Sequence, residues 1–148
     1  MADTAGPTLL ATKLYIPRLR PRRVLRPRLS ARLQEAAAYR LVLVSAPAGF
    51  GKSTLLSEWA HASRQGAPAA MPVAWLSLDE GDNDPVRFWS YLVAALQSVQ
   101  PGLGQAMLAL LRAAHPPGIE ALLGSLINEI AALPRDLALV LDDYHALY

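Results

Sequence analysis

Cysteine is absent from the 148 residues. That excludes disulfides and zinc–thiolate sites, and it suits a reducing compartment. Long apolar runs are missing too, since none approaches the ~18 residues of a membrane span. The amino-terminal MADTAGPTLLATK lacks both a basic stretch and a long apolar segment, so it does not read as a signal peptide. A cytoplasmic location with no membrane partner is therefore expected. No internal repeat is visible. Acidic residues are scarce at the start: residues 1–34 hold eight basic side chains against Asp3 alone, a net +7. Residues 35–148 hold six basic and eleven acidic side chains, a net −5. A basic arm can bind nucleic acid or acidic lipid. It can equally be a solvated arm whose arginines pair with the acidic body, and it lacks the interleaved aromatics of single-strand binders.

The chain also has what one packed domain needs: 53% hydrophobic residues and a length typical of a single core. Residues 1–12 read as a disordered start. Residues 13–29 read as an extended basic arm punctuated by Pro17, Pro21 and Pro27, because each proline steers its predecessor away from helix. Ser30 is placed to cap a helix over 31–39, with Leu33, Ala36 and Ala37 inward. RLVLVS, 40–45, reads as a buried strand of the kind found in parallel sheets. A helix is expected from Lys52 to about Ser63, and a second strand over 73–78. Asp84 followed by Pro85 is a helix start, a side-chain cap before a proline at the first helical position. That helix runs to Pro101-Gly102. Further helices are expected over 103–114 and 119–132, and a third strand over 137–141. This alternation predicts an α/β fold, a parallel sheet flanked by helices. Ligands in such sheets gather at the carboxyl ends of the strands. APAGFGKST, DEGDND and Asp142-Asp143 are all expected there.

The stretch VSAPAGFGKSTLL, 44–56, carries the chemistry. It matches the phosphate-binding pattern G-x-x-x-x-G-K-[ST], with Ala46 at the first glycine. The mechanism needs converging backbone N–H groups, which Gly49 and Gly51 can supply through unusual dihedrals. The positive end of the following helix adds to the attraction for anions. Ala48, Gly49, Phe50, Gly51, Lys52, Ser53 and Thr54 are the candidate nucleotide-binding residues. Lys52 would reach the β- and γ-phosphates, Ser53 would hold Mg²⁺, and Thr54 would anchor the α-phosphate. LALVLDD reads as the Walker B partner of this Walker A loop. Asp142 is the Mg²⁺ candidate, and Asp143 is the catalytic candidate that polarises the attacking water, beside Lys52. The competing readings are a glycine-rich turn with a surface lysine and a solvated aspartate pair. DEGDND could bind a cation, serve as a sensor, or simply cap the next helix, which accounts for Asp84. The histidines read as structural, although His145 could orient Asp143. The aromatics read as core.

Taken together, TKLYIPRLRP, VLRPRL, SAPAGFGKSTLLSEWA, VAWLSLDEGDNDPVRFWSYLVAAL and LVLDDYH resemble the amino-terminal ATPase domain of MalT-like, LuxR-family transcriptional regulators. These are P-loop NTPases of the STAND class. The resemblance covers Thr12 to Tyr148. It implies an ATP/ADP-binding switch with Mg²⁺ as cofactor, homo-oligomerisation in the full-length context, an unknown small-molecule or protein inducer, and DNA binding through a carboxy-terminal helix-turn-helix not present here. It also places Val24 and Arg26, with Leu25, near the adenine. Regulators of this type continue for several hundred residues, so 30–148 is expected to be a partial P-loop NTPase domain, truncated after the Walker B strand. ATP hydrolysis by this chain alone is expected to be slow. The alternatives are a P-loop ATPase of another class and a non-hydrolysing nucleotide-binding fragment.

Overall fold

A computed structural model describes residues 9–36, 38–66, 71–115 and 117–148. The first eight residues of the expected disordered start, and Ala37 of the first expected helix, lie outside that set. The chain forms two compact units, one of residues 1–15 with 72–148 and one of residues 16–71.

In the first unit, strands β1 (Val73–Ser77) and β2 (Ala138–Asp142) pair in parallel, with Val73 opposite Ala138 and Ser77 opposite Asp142. Parallel neighbours need a long crossover. Here helices α3 (Pro85–Gln97), α4 (Gln105–Leu111) and α5 (Ile119–Ala131) supply it. Val73, Ala74, Trp75 and Leu76 are all buried, as a strand covered on both faces requires. The fully buried Trp75 donates its indole N–H to Ser77 Oγ at 3.0 Å. Tyr91, Leu92, Ala95 and Leu96 recur at helical spacing along α3 and pack with Met107, Leu122 and Leu126.

The Asp84-Pro85 start stands as read: Asp84 Oδ1 accepts from Arg87 N at 2.7 Å and Pro85 opens the helix. After α3 the chain turns through Gly102 and Gly104, both at positive φ. Gly104 forms the entry to α4, which delays the helix expected from 103 to Gln105. A Cβ on Gly104 would lie 2.8 Å from Val93 Cγ1. Residues Ala11–Leu14 form a 3-10 turn packed on β1 and α3.

The second unit pairs α1 (Pro27–Ala36) with α2 (Lys52–Gln65). Leu33 and Ala60 are buried in it. The first helix begins at Pro27 and not after Ser30, because the Arg26 carbonyl already accepts from Leu29 N and Ser30 N, both at 3.0 Å. Proline's fixed φ suits the first helical position, so Ser30 lies inside the helix and caps nothing.

The expected strand over 40–45 is not formed. Residues 41–47 carry no regular structure, and Leu41 and Leu43 are 87% and 82% exposed. A strand exists only through ladder hydrogen bonds to a neighbour, and this segment has none among the described residues. Among the described residues the sheet therefore has two strands where three were expected. The fold is α/β, a small parallel sheet flanked by helices.

Candidate functional site

The loop before α2 has the backbone that its glycines suggest. Gly49 and Gly51 lie at φ 81° and 77°, in the left-handed region that side chains with a Cβ rarely adopt. Phe50 N bonds Pro47 O, and Leu55 N bonds Gly51 O as the first turn of the helix closes. Lys52 Nζ donates to the carbonyls of Ala46 at 2.8 Å and Pro47 at 3.2 Å. The ammonium is thus held over its own loop. Ala48, Phe50 and Thr54 are exposed, while Gly51, Lys52 and Ser53 are half-buried.

The arm lies along α2. Pro17 O is 3.2 Å from His61 Nε2. Arg23 Nε is 2.6 Å from Glu58 Oε1, an ion pair without hydrogen-bond alignment. Arg26 Nη1 donates to Phe50 O at 2.8 Å, which fixes this arginine to the backbone of the loop before α2. Val24 is 79% exposed. A cavity of about 360 Å³ lies between the arm and α2, lined by Leu19, Arg23, Leu25, Glu58, Trp59 and His61 among others.

The other candidate carboxylates stand in the unit of 72–148. Asp142 ends β2 and is buried; its carbonyl accepts from Leu78 N at 3.0 Å, and its Oδ1 accepts from Asp143 N at 3.1 Å. Asp143 takes a left-handed conformation at φ 57°, which a short polar side chain tolerates best. His145 Nδ1 is 4.0 Å from its carboxylate. That is beyond hydrogen-bond reach, so His145 does not orient Asp143.

DEGDND follows β1 at the same end of the sheet, as expected, and the side chains of Asp79, Asp82 and Asp84 are engaged within the fold. Asp79 Oδ1 accepts from Gly81 N and Asp82 Oδ2 from Asp79 N, both at 2.8 Å, a reciprocal cap of the short turn Glu80–Asn83. Asp82 is fully buried between two cations, Lys13 Nζ and Arg87 Nε, the latter at 3.1 Å. Lys13 also reaches Asp79 Oδ2 at 2.9 Å and lies 4.5 Å from the Tyr91 ring centre. A hydrogen bond from Lys13 is the main reason that the Asp79 carboxyl sits below its ordinary value of 3.8; the lysine's charge, the Gly81 N–H and Arg87 add to it against a desolvation effect. In the sequence Lys13 belongs to the basic arm of residues 13–29. The signal that could have found it is four carboxylates in six residues, more than one helix cap can use. Asn83 was missed as well: its side chain donates to Ala146 O at 3.1 Å and accepts from Tyr148 N at 2.9 Å, binding this loop to the turn after β2. Among the described residues no three acids or histidines converge as a metal cluster, and no helix is long and apolar enough to cross a membrane.

No family model matches the chain. It is 41% identical over 139 residues to the HTH-type transcriptional regulator MalT of Cronobacter sakazakii. It is 40% identical over 139 residues to the regulators of that name from two strains of Klebsiella pneumoniae. The matches take in 94% of the chain and 15% of each relative. Over almost its whole length, the chain is homologous to a short segment of MalT-like HTH-type transcriptional regulators.

Proposed function

We propose that this chain is the nucleotide-binding portion of a signal-responsive transcriptional regulator, a P-loop NTPase segment that takes ATP or ADP with Mg²⁺ at Ala46–Thr54 and acts as a switch. The observation that carries the reading is the loop itself. Two glycines at positive φ lead into α2 with Lys52 half-buried at its first position, in a chain homologous to such regulators. Backbone N–H groups at the start of a helix favour an anion, and an ammonium beside them adds charge-assisted bonds to a polyphosphate. Lys52 would exchange the carbonyls of Ala46 and Pro47 for phosphate oxygens. Ser53 would bind the metal and Thr54 the α-phosphate. Mg²⁺ on a nucleotide keeps several waters and needs only one or two protein ligands. The Ser53 hydroxyl would be one such ligand. The roles of Asp142 on the metal and of Asp143 on the attacking water rest on their order in the sequence after the strand. Val24 and Arg26 are proposed on the base side, and the Arg26–Phe50 bond supports the nearness of that segment to the loop. The proposed full-length context includes oligomerisation, an inducer and DNA binding.

Titration calorimetry with Mg·ADP tests the reading. Lys52→Ala is expected to weaken binding on the order of 10–100-fold, the worth of one charge-assisted contact. Equal affinity in the two proteins would remove the loop from the nucleotide site.

A further inference from the structure

The two units divide the charge of the chain unevenly. Residues 16–71 carry ten basic side chains against Glu35 and Glu58, a net +8. The other unit carries four basic side chains against ten acidic ones, a net −6. The excess is concentrated in residues 16–32, which hold seven arginines, no lysine and no acid. Arg18, Arg20, Arg22, Arg28 and Arg32 are exposed. Among the described residues, the only arginine of this stretch in an ion pair is Arg23, with Glu58. The nucleotide site proposed above uses none of these five. Such a concentration of like charge raises the energy of the isolated chain, and an anionic partner relieves it.

We propose that the arginine surface of residues 16–32 binds the sugar-phosphate backbone of duplex nucleic acid without reading its sequence. The residue type favours phosphate, because guanidinium forks pair with it bidentately and are weakly hydrated. The spacing favours a regular polyanion: Arg18, Arg20 and Arg22 recur along non-helical chain at intervals of at most ~7 Å, comparable to successive phosphates on one strand. The absence of aromatics from residues 16–32 removes the stacking platform on which single strands depend. A membrane surface fits less well. The apolar side of α1, at Leu33, is already buried in the packing with α2, and Leu29, 38% exposed, is the one large apolar side chain that this helix presents, too little for a helix lying in a membrane surface.

The test is fluorescence anisotropy of the 148-residue chain with two 20-base-pair duplexes of unrelated sequence across a salt series. Both duplexes are expected to bind alike, with affinity falling linearly on a log–log plot. Arg18→Gln, Arg20→Gln and Arg22→Gln combined are expected to lower the slope by about 2–3, near 0.9 per phosphate contact removed. The melting curve should stay in place, since all three side chains are exposed. Arg112→Gln with Arg135→Gln, two exposed arginines of the acidic unit, should leave slope and affinity unchanged, separating location from net charge. An unaltered slope in the triple variant overturns the proposal. Loss of binding to phosphatidylserine vesicles with duplex binding intact also overturns it and assigns the surface to a membrane. If the triple variant abolishes self-association in sedimentation while duplex binding stays intact, the partner is the acidic unit of a second copy.

Discussion

Lys13 meets two carboxylates and an aromatic ring while almost wholly buried. A buried pair adds little net stability when intact, but leaving one member alone is costly. Asp82→Asn removes the fully buried acid shared by Lys13 and Arg87 but leaves both cations beside Asp79, so it should destabilise the chain by about 2 kcal/mol in urea unfolding, the worth of a charge-assisted hydrogen bond. Asp79 makes a different kind of contribution. Its side chain is half exposed, and its folded pKa lies below the ordinary value. A depressed carboxyl pKa stabilises the fold above the unfolded value near 4, and that stability is lost as pH falls through the folded value. Unfolding free energy should decline from about pH 4 downward, and Asp79→Asn should flatten that decline. Ser57 reverses the logic: its hydroxyl is buried in α2 with no hydrogen-bond partner among the described residues. Ser57→Ala removes an unsatisfied group and adds helix propensity, so a gain of about 1 kcal/mol is expected in the same assay. An unchanged midpoint would mean that the hydroxyl finds water.

At the level of elements, α3 was the most legible. Its start is written in Asp84 and Pro85, and its buried face in residues recurring at helical spacing, both local properties of the chain. Strands β1 and β2 were legible as short apolar runs between breakers. The same rule failed at 40–45, because an apolar run states a need for burial and leaves open which neighbour provides it. Among the described residues Leu41 and Leu43 have no such neighbour, whereas Trp75 and Leu76 do. The glycines of the loop before α2 were legible for the same reason as α3: positive φ is a property of the single residue. Lys13 was not, since its partners lie 66 and 69 residues away. Gly104 shows how both kinds of information meet. It combines φ 74° with no room for a Cβ against Val93, and its N–H donates to Glu129 Oε2 of α5 at 2.7 Å. Gly104→Ala is expected to cost about 3 kcal/mol, from left-handed strain plus overpacking. Gly102→Ala, with equal strain but open space around it, should cost only about 1 kcal/mol. Thermal unfolding of the two variants separates the terms.

The whole molecule raises the question of whether its two units unfold together. Each has contacts of its own: the Tyr91–Leu96–Met107–Leu126 core in one, the Leu33–Ala60 packing and the arm-to-α2 bonds in the other. Chains with more than one such unit need not unfold in a single step. A ligand that binds only the folded form stabilises what it touches by RT ln(1 + [L]/Kd), about 2.7 kcal/mol at a hundredfold excess over Kd. The proposed nucleotide loop belongs to residues 16–71, so Mg·ADP should slow amide exchange first in α2. Residues 85–131 exchange through openings of their own unit and should respond less. Hydrogen exchange read by mass spectrometry, with and without ligand, measures both regions in one sample. Strong protection of α2 with little change across α3 to α5 means that the unit of residues 16–71 opens independently. Equal protection of both means that ligand energy passes through the whole chain, so the two units unfold as one cooperative body. Protection of neither would count against the loop as the nucleotide site, and Lys52→Ala supplies the baseline against which that result is judged.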